Sequence, residues 1–158
     1  MLHGHAVAGG LELALACDVV AAADTTLIGD GHLNRRLTPA GGSSVRLPSA
    51  VGRGLSRWLL LTGKLLPATE FANTGWIRAI VPEADLDATA TRICHQLADR
   101  NSPAQQRLKT LLHRIDGIAP EHALREELAT FADNWQASSA ADALRAFLAL
   151  PTTKADTK

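Results

Sequence analysis

Gly4-His5-Ala6-Val7-Ala8-Gly9-Gly10-Leu11-Glu12-Leu13-Ala14-Leu15-Ala16-Cys17-Asp18 is the stretch on which the reading of this chain turns. Its glycines crowd the start of an apolar, Ala/Leu-rich segment that predicts a short buried helix over residues 11–16. Glycine lets a bound group approach the backbone closely, and the first N–H groups of a helix lack partners inside it. The helix dipole adds partial positive charge at the same end. Glu12 falls in the first turn, where a carboxylate can exchange a proton with whatever docks there. The same Gly-Gly pattern also serves tight helix packing, and Glu12 can equally be a carboxylate that satisfies helix-start N–H groups. On these residues alone both readings stand.

Outward from this stretch, Val19–Ala23 reads as a buried strand and Thr26–Gly29 as a second, closed by the turn signal Asp30-Gly31. Residues 32–44 are the least regular section, rich in Gly, Arg and Ser, with Pro39 barring a continuous helix. From Ser44 or Val45 a helical spacing of Leu47, Val51, Leu55, Trp58 and Leu59 runs to a stop at Gly63. Thr69–Asn73 suggests a short helix before Gly75, and Ile77–Val81 a strand ending at Pro82. Leu86–Ala98 is amphipathic. Ser102 and Pro103 form an N-cap and first-turn pair for the next helix. After the break at Asp116-Gly117, Pro120 opens a long helix with Leu124, Leu128, Phe131 and Trp135 on one face. A final helix is expected over about 141–150, ended by Pro151, with a disordered tail over 152–158.

Composition bounds the function. The 158 residues are 46% hydrophobic and 20% charged, which is globular rather than disordered. Acidic and basic residues balance at 16 each, so net charge suggests no polyelectrolyte, and neither nucleic acid nor a membrane is an expected partner. Glu12 and Asp18 interrupt the best apolar run, and the N-terminus lacks the basic lead of a secretory signal. Cys17 and Cys94 lie far apart in apolar helical contexts, which favours a reduced pair over a disulfide. A cytoplasmic protein is therefore expected. His3 and His5 have no metal-ligand spacing, and no phosphate loop or dinucleotide fingerprint is visible.

The glycine-rich segment resembles the second half of the active-site signature of the crotonase superfamily, the enoyl-CoA hydratase/isomerase proteins. The likeness continues through Asp18–Ala23 and Leu27-Ile28-Gly29 to Pro39-Ala40-Gly41-Gly42-Ser43-Ser44-Val45-Arg46-Leu47 and Leu61-Thr62-Gly63. Glu70-Phe71-Ala72 with Gly75, then Val81-Pro82, Ser102-Pro103 and Ala146-Phe147-Leu148, keep the family's order. The resemblance implies an α/β fold: part of a crotonase-like spiral core of short strands and helices, followed by C-terminal helices. On that reading residues 1–116 are the C-terminal part of the core, 117–151 a helical oligomerisation region and 152–158 the tail. A complete member carries a further N-terminal half with the other oxyanion-hole N–H and much of the coenzyme A pocket. Either this chain is a fragment or mis-started frame, or it is a half-length protein that works without those parts.

The resemblance also implies roles for residues. The backbone N–H of Gly9 would face a thioester oxygen, Gly10 would allow close approach, and Ala8 stands where many members have a third glycine. Glu12 stands where hydratases of the family have one of two catalytic glutamates. The second glutamate is absent: counting forward without a gap, its place is taken by His32. That histidine either shares acid/base work with Glu12 or is an ordinary pocket or surface residue. If Glu12 works alone as a proton shuttle, double-bond isomerisation is favoured over hydration. Asp30 could supply a carboxylate only if its loop shifted. Arg35 is expected to help bind substrate, with Arg36 beside it, unless the pair is simply one solvated and one packed arginine. Pro39 and Gly41 complete the expected substrate-binding set.

The expected activity is hydration or isomerisation of an unsaturated acyl-CoA through an oxyanion-stabilised enolate. The coenzyme A thioester is the substrate, with no separate cofactor or metal. A homo-oligomer, trimer or hexamer, is expected from the family's C-terminal helices, unless Phe131, Trp135 and Phe147 fold back on their own core. The alternative is a non-catalytic subunit that binds acyl-CoA or assembles with full-length relatives.

Overall fold

In the computed structural model, the described residues are 1–100 and 102–137, with the isolated positions 142, 145 and 149. The chain divides into two compact units, Met1–His95 and Gln96–Lys158. The expected final helix and tail fall outside the described residues, apart from those isolated positions, and so does Phe147.

The first unit runs β1 (His5–Val7), α1 (Gly9–Leu15), β2 (Val20–Ala23) and β3 (Leu27–Gly29), then α2 (Ser43–Val51), α3 (Arg53–Thr62), β4 (Leu66–Pro67) and β5 (Ile77–Val81). α4 (Leu86–Ala98) follows. The strands form two small sheets, ordered β1-β3-β4 and β2-β5. The chain thus passes from one sheet to the other and back, a short turn of a spiral. β1 and β3 are parallel, with Val7 opposite Gly29, and β2 and β5 are parallel as well. An isolated bridge from Leu2 to Ala22 begins the unit.

β2 is buried along its whole length, which is why it reads as the unbroken apolar run Val-Ala-Ala-Ala. Its alternation divides two cores. Val20 and Ala22 join Leu11, Ile28, Leu47, Leu59, Phe71 and Ile77, while Ala21 and Ala23 pack with Leu86. α1 has only seven residues and would be marginal by itself. Leu11 and Ala14 on its inner face hold it to the core, and Leu13 on the outer face is exposed.

Sequence and structure differ at several points in this unit, and the short helix expected over Thr69–Asn73 is a 3-10 helix over Ala68–Phe71. The helical spacing from Ser44 to Gly63 is two helices, not one. Gly52, at φ 81° and ψ 159°, ends α2 and starts α3, so the apolar stripe continues while the axis breaks. Pro48 lies inside α2. β1 and β4 were not expected, because three and two residues carry no readable alternation. Irregular residues 32–44 hold a 3-10 turn over His32–Arg35 before α2 begins.

The second unit contains the C-terminal turn of α4, then α5 (Pro103–Ile115) and α6 (Pro120–Ala137). Ser102 caps α5 as expected, its Oγ accepting from the Gln105 N–H at 3.2 Å. Arg107 and Asn134 join α5 to α6 through a 3.0 Å hydrogen bond. Leu124, Leu128, Phe131 and Trp135 on α6 are all exposed. Among the described residues, no helix is long and apolar enough to cross a membrane.

Candidate active site

Parallel pairing of β1 and β3 sets the site. With Val7 opposite Gly29, the residues leaving the carboxyl ends of both strands lie side by side, the place where open α/β sheets bind ligands. One more ladder bond confirms the juxtaposition: the Ala8 N–H donates to the Asp30 carbonyl at 3.0 Å. From here β1 leads into α1 and Glu12, and β3 leads into the Asp30-Gly31-His32 turn.

Ala8 precedes α1 at φ 51° and ψ −119°, a conformation costly for any residue with a Cβ. The chain adopts it because the Ala8 N–H is held by Asp30 while its carbonyl accepts from the Glu12 N–H at 3.0 Å. Relief of about 1–3 kcal/mol of strain outweighs the entropy cost of glycine, about 0.4–1 kcal/mol. Ala8→Gly is therefore expected to raise the denaturant midpoint, with a net gain of about 1 kcal/mol. Gly9 and Gly10 follow as exposed residues with open space where a Cβ would stand.

Glu12 is half-buried, and its carboxylate does not serve its own helix. Its Oε1 accepts from the Gly41 N–H at 2.7 Å and the Ser43 N–H at 3.3 Å, 29 and 31 residues further along. Among the described residues both donors reach the same oxygen, which leaves Oε2 uncommitted. A Cβ at position 41 would collide with the Glu12 carboxylate, so a larger residue there would displace that side chain from its place. Arg46, one turn into α2, donates from Nη1 to the Gly41 carbonyl at 3.0 Å and fixes the far side of the same residue. Ser43 Oγ is buried without a hydrogen-bond partner among the described residues.

Across the turn, His32 Nδ1 lies 3.0 Å from Asp30 Oδ1, and the His32 N–H donates to Asp30 Oδ2 at 3.3 Å. The Asp30 side chain is 1% exposed and that of His32 14%. The Asp30 carboxyl group is therefore buried against His32. Arg35 and Arg36 are exposed, Arg36 at φ 57°, and neither side chain bonds to Glu12 or Asp30. Pro39 is half-buried. Of the expected residues, hydrogen bonds thus join Glu12 to Gly41 and Ala8, with Gly9 and Gly10 between, and join Ala8 through Asp30 to His32. Ser43 and Arg46 hold the same Glu12–Gly41 contact. Cys17 and Cys94 are both exposed free thiols. Among the described residues no three His, Cys, Asp or Glu side chains group as metal ligands.

The sequence model of the enoyl-CoA hydratase/isomerase family matches residues 1–151. The chain belongs to the enoyl-CoA hydratase/isomerase family. It is 29% identical over 145 residues to a probable enoyl-CoA hydratase of Mycobacterium bovis, covering 92% of this chain and 56% of that protein. It is 26% identical over 147 residues to a short-chain-enoyl-CoA hydratase of Clostridium acetobutylicum, covering 93% and 56% of the two. Among solved structures, an enoyl-CoA hydratase of Mycobacterium smegmatis superposes with a TM-score of 0.85 at 26% identity over 92% of this chain and 56% of that one. An enoyl-CoA hydratase of Mycobacterium tuberculosis gives a TM-score of 0.69 at 39% identity over 82% and 57%. The partial crotonase fold and C-terminal helices expected from the signature hold. The chain spans about half the length of the curated relatives it matches.

Proposed function

We propose that this chain carries the acid/base part of a site that hydrates or isomerises unsaturated acyl-CoA thioesters through an enolate. The observation that supports it best is the state of Glu12: one carboxylate oxygen is anchored by two backbone N–H groups while the other is uncommitted. An anchored carboxylate with a single working oxygen suits stereospecific proton transfer. The exposed Gly9 peptide, with nothing where a Cβ would stand, suits a thioester oxygen that gains negative charge. In hydration Glu12 gives its proton to the α-carbon as water adds at the β-carbon. In isomerisation it removes a proton from one carbon, exchanges it with solvent and protonates another. His32 is the second acid/base group, Gly10 lets the substrate close on the backbone, and Gly41, Pro39 and Arg35 border the bound acyl-CoA. The thioester supplies its own activation, so no further cofactor enters.

The same reading carries a homo-oligomer, trimer or hexamer, which would cover the exposed apolar residues of α6 and is checked by sedimentation. It also carries a cytoplasmic site, the compartment that suits two exposed free thiols.

The test is incubation of the purified chain with 2-enoyl- and 3-enoyl-CoA in deuterated water, with products read by mass spectrometry. Expected is addition of water or migration of the double bond, each with deuterium bound to carbon. Both substrates recovered unchanged would overturn the reading and favour a binding or assembly subunit.

A further inference from the structure

The Asp30 carboxyl group is buried, and among the described residues both of its hydrogen-bond partners belong to a single residue, His32. Burying a carboxyl group is costly unless its oxygens are satisfied, and a fold seeking only stability fills such a place with an apolar side chain. Here both oxygens are spent on one residue, His32. Oδ2 fixes the backbone of the turn through the His32 N–H, and Oδ1 fixes the ring through Nδ1. Gly31 between them is at φ 66°, and a Cβ there would come within 2.6 Å of Val7 Cγ1, so this tight turn requires glycine. The backbone of Asp30 is held as well, since its carbonyl accepts the Ala8 N–H and the Ala8 carbonyl in turn accepts the Glu12 N–H. Asp30 therefore links the histidine to the turn that carries Glu12.

A neutral imidazole has one N–H and one lone pair. With the Asp30 carboxyl group ionised and the ring neutral, an Oδ1 acceptor 3.0 Å from Nδ1 favours the hydrogen there and leaves the lone pair on Nε2. We propose that Asp30 is a positioning residue that holds His32 in its Nδ1–H tautomer, so that Nε2 acts as the second proton-transfer atom beside Glu12. The proposal rests on the acyl-CoA reading above and adds the device that lets a histidine stand where relatives have a carboxylate. In hydration, Nε2 takes a proton from water as the water oxygen bonds to the β-carbon. The π electrons move onto the thioester oxygen as the enolate. The enolate then collapses and takes the Glu12 proton at the α-carbon. The imidazolium that remains returns its proton to the Glu12 carboxylate through solvent, which restores both groups.

The tautomer can be read directly. In a chain labelled with nitrogen-15 histidine, long-range proton–nitrogen spectra distinguish Nδ1–H from Nε2–H, and loss of a signal in His32→Gln assigns His32. The expected wild-type result is Nδ1–H. In Asp30→Asn the side chain keeps one acceptor for two N–H groups. The backbone N–H retains it and the amide NH2 faces the ring, so His32 is expected to switch to Nε2–H. Turnover in deuterated water should fall about 10²-fold in kcat with KM little changed. A wild-type Nε2–H tautomer overturns the proposal without any variant having to fold. An unchanged tautomer and unchanged turnover in Asp30→Asn overturn it too. Full turnover in His32→Gln removes the catalytic role of Nε2 while leaving the Glu12 chemistry standing. A wild-type chain with no turnover overturns the acyl-CoA reading instead, and the spectra still decide whether Asp30 sets the tautomer.

Discussion

Glu12→Gln is expected to lower turnover of the preferred enoyl-CoA by about 10²–10⁴-fold, roughly 3–5 kcal/mol in the barrier, while the chain keeps its fold. The substitution is informative because of how the carboxylate is held. A glutamine carbonyl at the position of Oε1 can still accept from the Gly41 and Ser43 N–H groups, so the α1–α2 connection survives. What is lost is the proton-exchanging oxygen. Circular dichroism and a denaturant titration should therefore overlay those of the wild type, and KM should change little. Glu12→Ala differs in kind, because it also leaves the two donors without their acceptor, and there activity and stability fall together. Turnover within a few-fold of wild type in Glu12→Gln would mean that the carboxylate is an anchor for the Gly41 loop and nothing more.

That contrast shows what the sequence could and could not say about the site. Glu12 was legible because glycines, a helix start and a carboxylate lie within one short stretch, and the crotonase resemblance gave them roles. Its anchors were not, since Gly41 and Ser43 are 29 and 31 residues away and act through backbone N–H groups that every residue possesses. Arg46 stood in the quoted motif, but its task of fixing the Gly41 carbonyl depends on the helix start at Ser43. Asp30 reads from sequence as a carboxylate that serves only if its loop shifts, because nothing local says it is buried. Burial follows from β3 pairing with β1, a three-residue strand with no pattern of its own. The fold followed the same rule. Elements with a strong period or a run of buried residues, such as β2, α4 and α5, were placed by sequence. The break at Gly52 was not, because the apolar spacing runs through it.

Two glycine substitutions should separate close packing from mere permissiveness, with opposite signs. Gly29 ends β3 and is buried, and a Cβ there would collide with the Lys64 carbonyl while lying 2.9 Å from Leu65 Cδ2 and 3.1 Å from Leu65 Cα. Two of those three atoms are backbone, in the segment that leads into β4, so a rotamer change cannot make room. Gly29→Ala is expected to destabilise by about 3 kcal/mol, the upper end of the cost of overpacking, read as a lower urea midpoint at unchanged slope. The strain also reaches the site, because Gly29 precedes Asp30, whose carbonyl holds Ala8 and whose carboxyl group holds His32. Turnover should drop even well below the unfolding transition. Gly54 is the control. It lies exposed in α3 with nothing within 4 Å of its Cβ position, so Gly54→Ala gains helix propensity without a clash. A stabilisation of about 0.5 kcal/mol is expected there. If Gly29→Ala were as harmless as Gly54→Ala, the close approach of β3 to the Lys64–Leu65 backbone would be wrong, and with it the support that the fold gives to Asp30.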